Sequence, residues 1–274
     1  MKDSGDYHCG DPLMSAIPTI LRSKPALSLQ DEVALLRVEL KTEKQARIAA
    51  ESKLAFLHTE QTQGGPPPSR MAIILGLAKL AESRDDDTGK HLSRIRHYTT
   101  LIATEFSELY PEMLSKTDVP VIGATSVLHD IGKVGISDDI LLNPNKLTNK
   151  QFNSMKRHTS IGADILISLS EQLGRDPWVD TAIQITLGHH EKWDGTGYPF
   201  GLRGETNNLP ARIVAVADVY DALTSKRVYK DAMTHDEAIA IIKQDSGSHF
   251  DPMVVEAFFS VDEEIRKVAS RLLH

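Results

Sequence analysis

Apolar residues recur at helical spacing in nearly every stretch of this chain long enough to show a period. Between Leu29 and Gln61, Val33, Leu36, Leu40, Ala50, Leu54 and Leu57 keep the three–four alternation of heptad a and d positions, interrupted at Glu43 and Arg47. The pattern predicts an amphipathic helix over 28–62, and both a coiled coil and a helix lying on its own domain satisfy it. Residues 1–27 mix Gly, Pro, Ser and charge without a period and are expected to be poorly ordered. "GGPPPSR" (Gly64–Arg70) ends any helix, which makes 63–70 a linker and 71–274 a separate domain.

Within that domain Met71–Ser83, Lys90–Tyr110 and Val121–Asp130 place apolar residues at helical spacing. Thr148 with Gln151 and Thr234 with Glu237 have the spacing of capping boxes, and Asp251-Pro252 suits an N-cap followed by the first helical residue. "ARIVAVA" (Ala211–Ala217) is rich in β-branched residues and reads as a strand in isolation. Its continuation "DVYDAL" keeps the helical period, so the segment is expected to be a buried helix. The predicted class is all-α.

Composition narrows the partners. The chain has 274 residues, 41% of them hydrophobic, enough for one domain of about 200 residues with an appendage. A formal net charge of −7 offers no basic field for a nucleic-acid duplex, although a local cationic site for a small anion is compatible with it. Cys9 is the only cysteine, so an intrachain disulfide is excluded and any metal site must use nitrogen and oxygen ligands. No apolar run approaches the ~18 residues of a membrane span, and the N-terminus lacks the layout of a signal peptide. A cytoplasmic protein without membrane contact is expected.

Acids and imidazoles recur at the ends or interiors of apolar helices. "LHDIGKVG" sets His129 beside Asp130 at the end of an apolar helix, with Gly132 expected to stop it. An imidazole next to a carboxylate able to bridge is what a two-metal hydrolytic centre requires. In "DDDTGKH", Asp87 and His91 are four apart and share a face if the helix starts near Asp87, whereas Asp85 and Asp86 read as an acidic N-terminal cap. "MKRHTSIG" puts His158 at a helix end, where a cation would also suit the dipole. His189 and His190 close an apolar helix and run into "EKWDGTGYP". Asp218 sits inside an apolar helix, where an unpaired carboxylate is costly. Five separated places with one kind of chemistry predict convergence on a polar point inside a helical bundle.

His129-Asp130 with "IGKVGI", then "HHEKWDGTGYP", "GLRGE", "ARIVAVADVYDALTSKRVYK" and "GSHFDP", resemble in order and spacing the HD-GYP family of bacterial cyclic-di-GMP phosphodiesterases. The similarity runs from Met71 to Phe259. It implies an HD-domain helical bundle with the HD-GYP extension, holding two or three divalent ions, Fe or Mn. It further implies the metal ligands His91, His129, Asp130, His158, His189, His190 and Asp218, with Asp130 bridging. Members with three metals carry an acid, usually Glu, four residues before the first histidine; Asp87 stands there. Lys133, Tyr198, Arg227 and Lys230 are implied as substrate contacts, and Asp130 and Lys133 as the catalytic pair. Val228 replaces the family's usual proline and removes no ligand. The implied reaction opens cyclic-di-GMP to pGpG, and onward to GMP, through a hydroxide bridging two metals. A hydrolase of another cyclic dinucleotide such as cyclic GMP-AMP, and a nucleotide-binding signalling adaptor with little turnover, are the alternatives. The expected partners are a homodimer through the N-terminal helix and a signalling protein in trans.

Overall fold

Four helices of the domain start where the sequence supplies a side-chain acceptor for orphan backbone N–H groups. Thr148 and Thr234 each accept from the N3 amide while Gln151 and Glu237 reach back, completing both predicted capping boxes. Asp251 accepts from Met253 N with Pro252 behind it, and Asp176 does the same for Trp178 N ahead of Pro177. The structure, a computed structural model, describes residues 70–83, 90–225 and 232–272. The chain divides into Met1–Pro67 and Pro68–His274, and every described residue lies in the second unit. The expected N-terminal segment, helix and linker up to residue 69, together with Asp87, Arg227, Val228 and Lys230, therefore fall outside the described residues, while Arg70, the last residue of the expected linker, opens the first described helix.

The helices in chain order are α1 (Arg70–Glu82), α2 (Lys90–Leu109), α3 (Val119–Thr125), α4 (Asp138–Leu141), α5 (Asn149–Met155), α6 (His158–Leu173), α7 (Pro177–Gly188), α8 (Leu209–Thr224), α9 (His235–Gln244), α10 (Pro252–Ser260) and α11 (Asp262–Leu272). Short 3-10 turns occupy Ser126–Leu128, Ile131–Gly135 and Gly204–Thr206. Among the described residues there is no strand longer than an isolated bridge, and the all-α class holds. "ARIVAVADVYDALT" is indeed helical. Ala211 to Ala217 are all buried, so the run is apolar because neighbours cover it on every side.

Two apolar clusters flank the site. One joins Tyr98, Ile102 and Phe106 of α2 to Val216, Tyr220 and Phe258, then to Ile265 of α11. The other joins Ala78 and Ala81 of α1 to Leu92, Leu128, Ile131, Leu166 and Ala182. His129 follows Leu128 of the second cluster, and Asp218 follows Ala217 of the first, so polar groups occupy the junction. Arg212 of α8 meets the buried Asp251 carboxylate and ties α8 to the cap of α10.

Two expectations fail in detail. Val121–Asp130 is not one helix that Gly132 ends. α3 tightens into a 3-10 turn at Ser126–Leu128, His129 caps it, and Gly132 lies inside the next 3-10 turn. Gly132 is needed for space, since a Cβ there would lie 1.8 Å from His158 O and 2.5 Å from Gly162 N. His158 also opens α6 rather than closing α5. It therefore faces the positive pole of its helix, and the dipole argument for a cation there reverses.

Gly132→Ala is expected to cost more than about 2 kcal/mol by forcing α6 away. Gly76→Ala, on the open side of α1, is expected to stabilise by roughly 0.5–1 kcal/mol. Urea unfolding of both variants checks the pair.

Candidate metal centre

Four histidines are held by one device. The Nδ1 atoms of His129, His158 and His189 face carbonyl oxygens of Ser126 at 2.9 Å, Met155 at 2.8 Å and Ile185 at 3.1 Å. His91 Nδ1 lies 2.7 Å from Asp221 Oδ2. A carbonyl or carboxylate oxygen only accepts, so Nδ1 carries a proton and each ring turns its Nε2 the other way. The carbonyls belong to the preceding helical turn, three or four residues back. The tautomer of these three rings is therefore set locally, while that of His91 depends on a residue 130 positions away.

The Nε2 atoms converge on two carboxylates. Asp130 Oδ1 is 3.2 Å from His158 Nε2 and 3.7 Å from His189 Nε2, while its Oδ2 is 3.4 Å from His129 Nε2. Asp218 Oδ1 is 3.8 Å from His129 Nε2. Two sets of donor atoms result, Asp130, His158, His189 and His190 in one and His91, His129 and Asp218 in the other, each within 4.8 Å internally. Asp130 belongs to the first set, and its second oxygen faces a histidine of the other.

The fit to metal is tested by what these atoms lack. His129 Nε2, His158 Nε2, His189 Nε2 and Asp130 Oδ1 are fully buried and have no hydrogen-bond partner. Buried polar atoms are seldom left so, and four around one volume are what a bound cation would satisfy. Metal–nitrogen and metal–oxygen bonds of about 2.0–2.2 Å set neighbouring donors about 3 Å apart or slightly more, as here. The donor set fits divalent cations.

Burial opposes charge on these groups, and their neighbours decide the outcome. It pulls His158 down to about 4 against the attraction of Asp130. It likewise holds His190 well below the ordinary imidazole range, beside His189. At His129 burial is outweighed by Asp130 and Asp218, and the pKa stands near 9. Asp130 is held well below the carboxylate range by Lys133 and His129 despite its own burial.

Lys133 Nζ lies 3.0 Å from Asp130 Oδ2. Tyr198 stacks on His190 with ring centroids 4.7 Å apart, placing the "GYP" loop against the first donor set. Gly195 turns this loop at φ +82°, and Gly197 passes so near Glu191 that a Cβ would lie 2.3 Å from Lys192 N. The Tyr198-Pro199 bond is cis. The structure thus brings together His91, His129, Asp130, His158, His189, His190, Asp218, Lys133 and Tyr198.

Two supporting acids were not singled out from the sequence. Asp221, 1% exposed, accepts from His91 Nδ1 and takes Arg94 Nε at 2.5 Å and Nη2 at 3.0 Å. Its signal was a second acid in the same apolar helix, three residues after Asp218. Glu191, 2% exposed, accepts from the amides of Phe200, Gly201 and Leu202 and folds the loop back over the histidines. Its only signal was the acid behind the histidine pair.

A family model described as an HD domain matches residues 77–254, and the chain belongs to that family. It is 46% identical over 214 residues to a cyclic di-GMP phosphodiesterase of Vibrio cholerae serotype O1, covering 77% of this chain and 43% of the relative. It is 40% identical over 195 residues to a cyclic di-GMP phosphodiesterase of Thermotoga maritima, covering 71% of this chain and 50% of the relative. A 3'3'-cGAMP-specific phosphodiesterase of Vibrio cholerae is 36% identical over 200 residues, with 73% and 36% covered. The chain thus spans half or less of the length of these relatives. The resemblance to HD-GYP proteins is borne out by these matches. Among the described residues, no helix is long and apolar enough to cross a membrane.

At pH 7 His129 keeps its proton in the metal-free protein, because its pKa lies near 9, and His158 does not. Metal uptake must displace that proton, so affinity is expected to rise with pH by up to about tenfold per unit, levelling off as His129 deprotonates. Calorimetric titration with Mn(II) in buffers of different ionisation enthalpy, between pH 6 and 9, measures the release. Asp221→Ala is expected to weaken metal binding by roughly 10–100-fold by freeing the His91 ring, read from the same titration.

Proposed function

We propose that this domain hydrolyses cyclic-di-GMP to pGpG, and onward to GMP, at a centre of two or three divalent ions, Fe or Mn. The observation that supports this most is the ring of unsatisfied buried Nε2 atoms around Asp130, whose two oxygens face different histidines. The proposed ligands are His91, His129, Asp130, His158, His189, His190 and Asp218, with Asp130 as the bridge. Asp87 is proposed for a third ion, and Arg227 and Lys230 for the nucleotide.

Divalent ions bound there supply an activated water and a Lewis acid for the phosphoryl oxygens. The side chains do the rest. Fixed Nδ1–H bonds keep the imidazole rings aimed, so their orientation need not change on binding. Lys133, bound to Asp130, would set a positive charge beside the phosphoryl oxygens, where negative charge accumulates during an in-line attack. Tyr198 walls the cleft beside His190, and Glu191 holds that wall in place. The 3'3'-cGAMP-specific relative makes cyclic GMP-AMP the second substrate reading. We further propose a homodimer through the N-terminal helix and a signalling partner acting in trans.

Anaerobic turnover of cyclic-di-GMP and cyclic GMP-AMP with Fe(II) or Mn(II) tests the reading. Wild type is expected to form pGpG, and the double substitution His129→Ala, Asp130→Ala to slow it by more than about a hundredfold. No product from either nucleotide with metal confirmed in the protein would sink the enzyme reading and leave a binding adaptor.

A further inference from the structure

The capping box at Thr148 fixes the start of α5, and four residues separate Phe152 from Lys156, so both project from one side of it. That side faces the "GYP" loop. Lys156 Nζ lies 4.8 Å from the centroid of the Phe152 ring and 5.3 Å from that of Tyr198. The Phe152 and Tyr198 rings meet edge to face at 6.2 Å. The turn that carries Lys156 also carries a donor of the metal centre, because Met155 O accepts from His158 Nδ1 and Lys156 O accepts from Thr159 Oγ1 at 3.0 Å. The group thus adjoins the cleft without belonging to its donor set.

Its chemistry differs from that of Lys133. Lys133 is matched to Asp130 at 3.0 Å, whereas no carboxylate of a described residue lies within 4.0 Å of Lys156. Aromatic faces hold an ammonium without cancelling its charge. Phe152, beside it, is 45% exposed, a large apolar side chain left in water next to Tyr198. A positive charge without a partner acid and an open aromatic face, side by side, match a phosphodiester joined to a nucleoside. A cyclic dinucleotide carries two phosphodiesters and two purines, and the metal centre engages only the bond being cut.

We propose that Phe152 and Lys156 form a second subsite of the cleft, Lys156 binding the phosphodiester that is not cut and Phe152 stacking a purine. This rests on the cyclic-dinucleotide reading above. It makes α5 a wall of the substrate site beside the "GYP" loop, with Tyr198 between subsite and metal centre. It also assigns Lys156 to affinity rather than to the chemical step, since the phosphate it holds does not react.

Steady-state kinetics on the metal-loaded full chain test this with Lys156→Met, which keeps the stem, Lys156→Arg, which keeps the charge, and Phe152→Leu. Lys156→Met is expected to raise KM for cyclic-di-GMP about tenfold, with a smaller change in kcat, and to flatten the rise of KM with salt. Lys156→Arg is expected to recover most of the loss, and Phe152→Leu to raise KM about fivefold or more. Metal content and thermal midpoint of each variant separate this from a collapsed loop. A KM for Lys156→Met within about twofold of wild type, or a loss in Lys156→Arg as large as in Lys156→Met, overturns the subsite. If wild type hydrolyses no cyclic dinucleotide, the proposed function fails on its own. Equilibrium binding of fluorescent cyclic-di-GMP then decides the subsite, an unchanged Kd in Lys156→Met overturning it and a weakened one supporting it.

Discussion

Polar atoms that no protein group satisfies are concentrated in one buried volume, and the domain is organised around that constraint. Three imidazole Nε2 atoms and one oxygen of Asp130 face each other out of water. Each such atom costs free energy unless something binds it. The arrangement persists because rigid apolar material surrounds it. Tyr98, Tyr220 and Phe258 fill one side, and Leu92, Leu128 and Leu166 the other. The site lies where these clusters meet, so side chains from α2, α6, α7 and α8 enter it with little freedom to turn away.

Orientation comes from a second layer of weaker contacts. Carbonyls of the preceding turn fix His129, His158 and His189, which means that helix ends rather than separate partner residues set the tautomers. The two adjacent histidines of "HHEKWDGTGYP" reach one donor set because α7 ends at Gly188, leaving His189 as its cap and His190 beyond the helix. Their rings lie 4.1 Å apart, a spacing unavailable to neighbours pointing about 100° apart within a regular helix. Glu191 then spends its carboxylate on three amides of the loop, giving glycine-rich backbone a single position.

Charge balance follows from the same packing. Burial discharges His158 and His190. His129 keeps its proton only because two carboxylates adjoin it. A divalent cation held by these residues would have to replace that proton, and in a chain with one cysteine its donors would be imidazole nitrogens and carboxylate oxygens.

The helical class, the capping boxes at Thr148 and Thr234, the cap at Asp251 and the recurrent imidazole–carboxylate pairs were legible in the sequence. Each depends on residues within a turn or two of one another, and local backbone preferences determine them. The ordered motifs gave the family for the same reason. Tertiary structure decided what depends on distant neighbours. Asp221 supports His91 across 130 positions, Gly132 is required by the backbone of α6, and Lys156 meets Tyr198 only after α5 and the loop have packed. His158 shows the limit most plainly. Its spacing told of a helix end but not which end, because that depended on the chain breaking between Met155 and His158, which seats the buried ring at the start of α6.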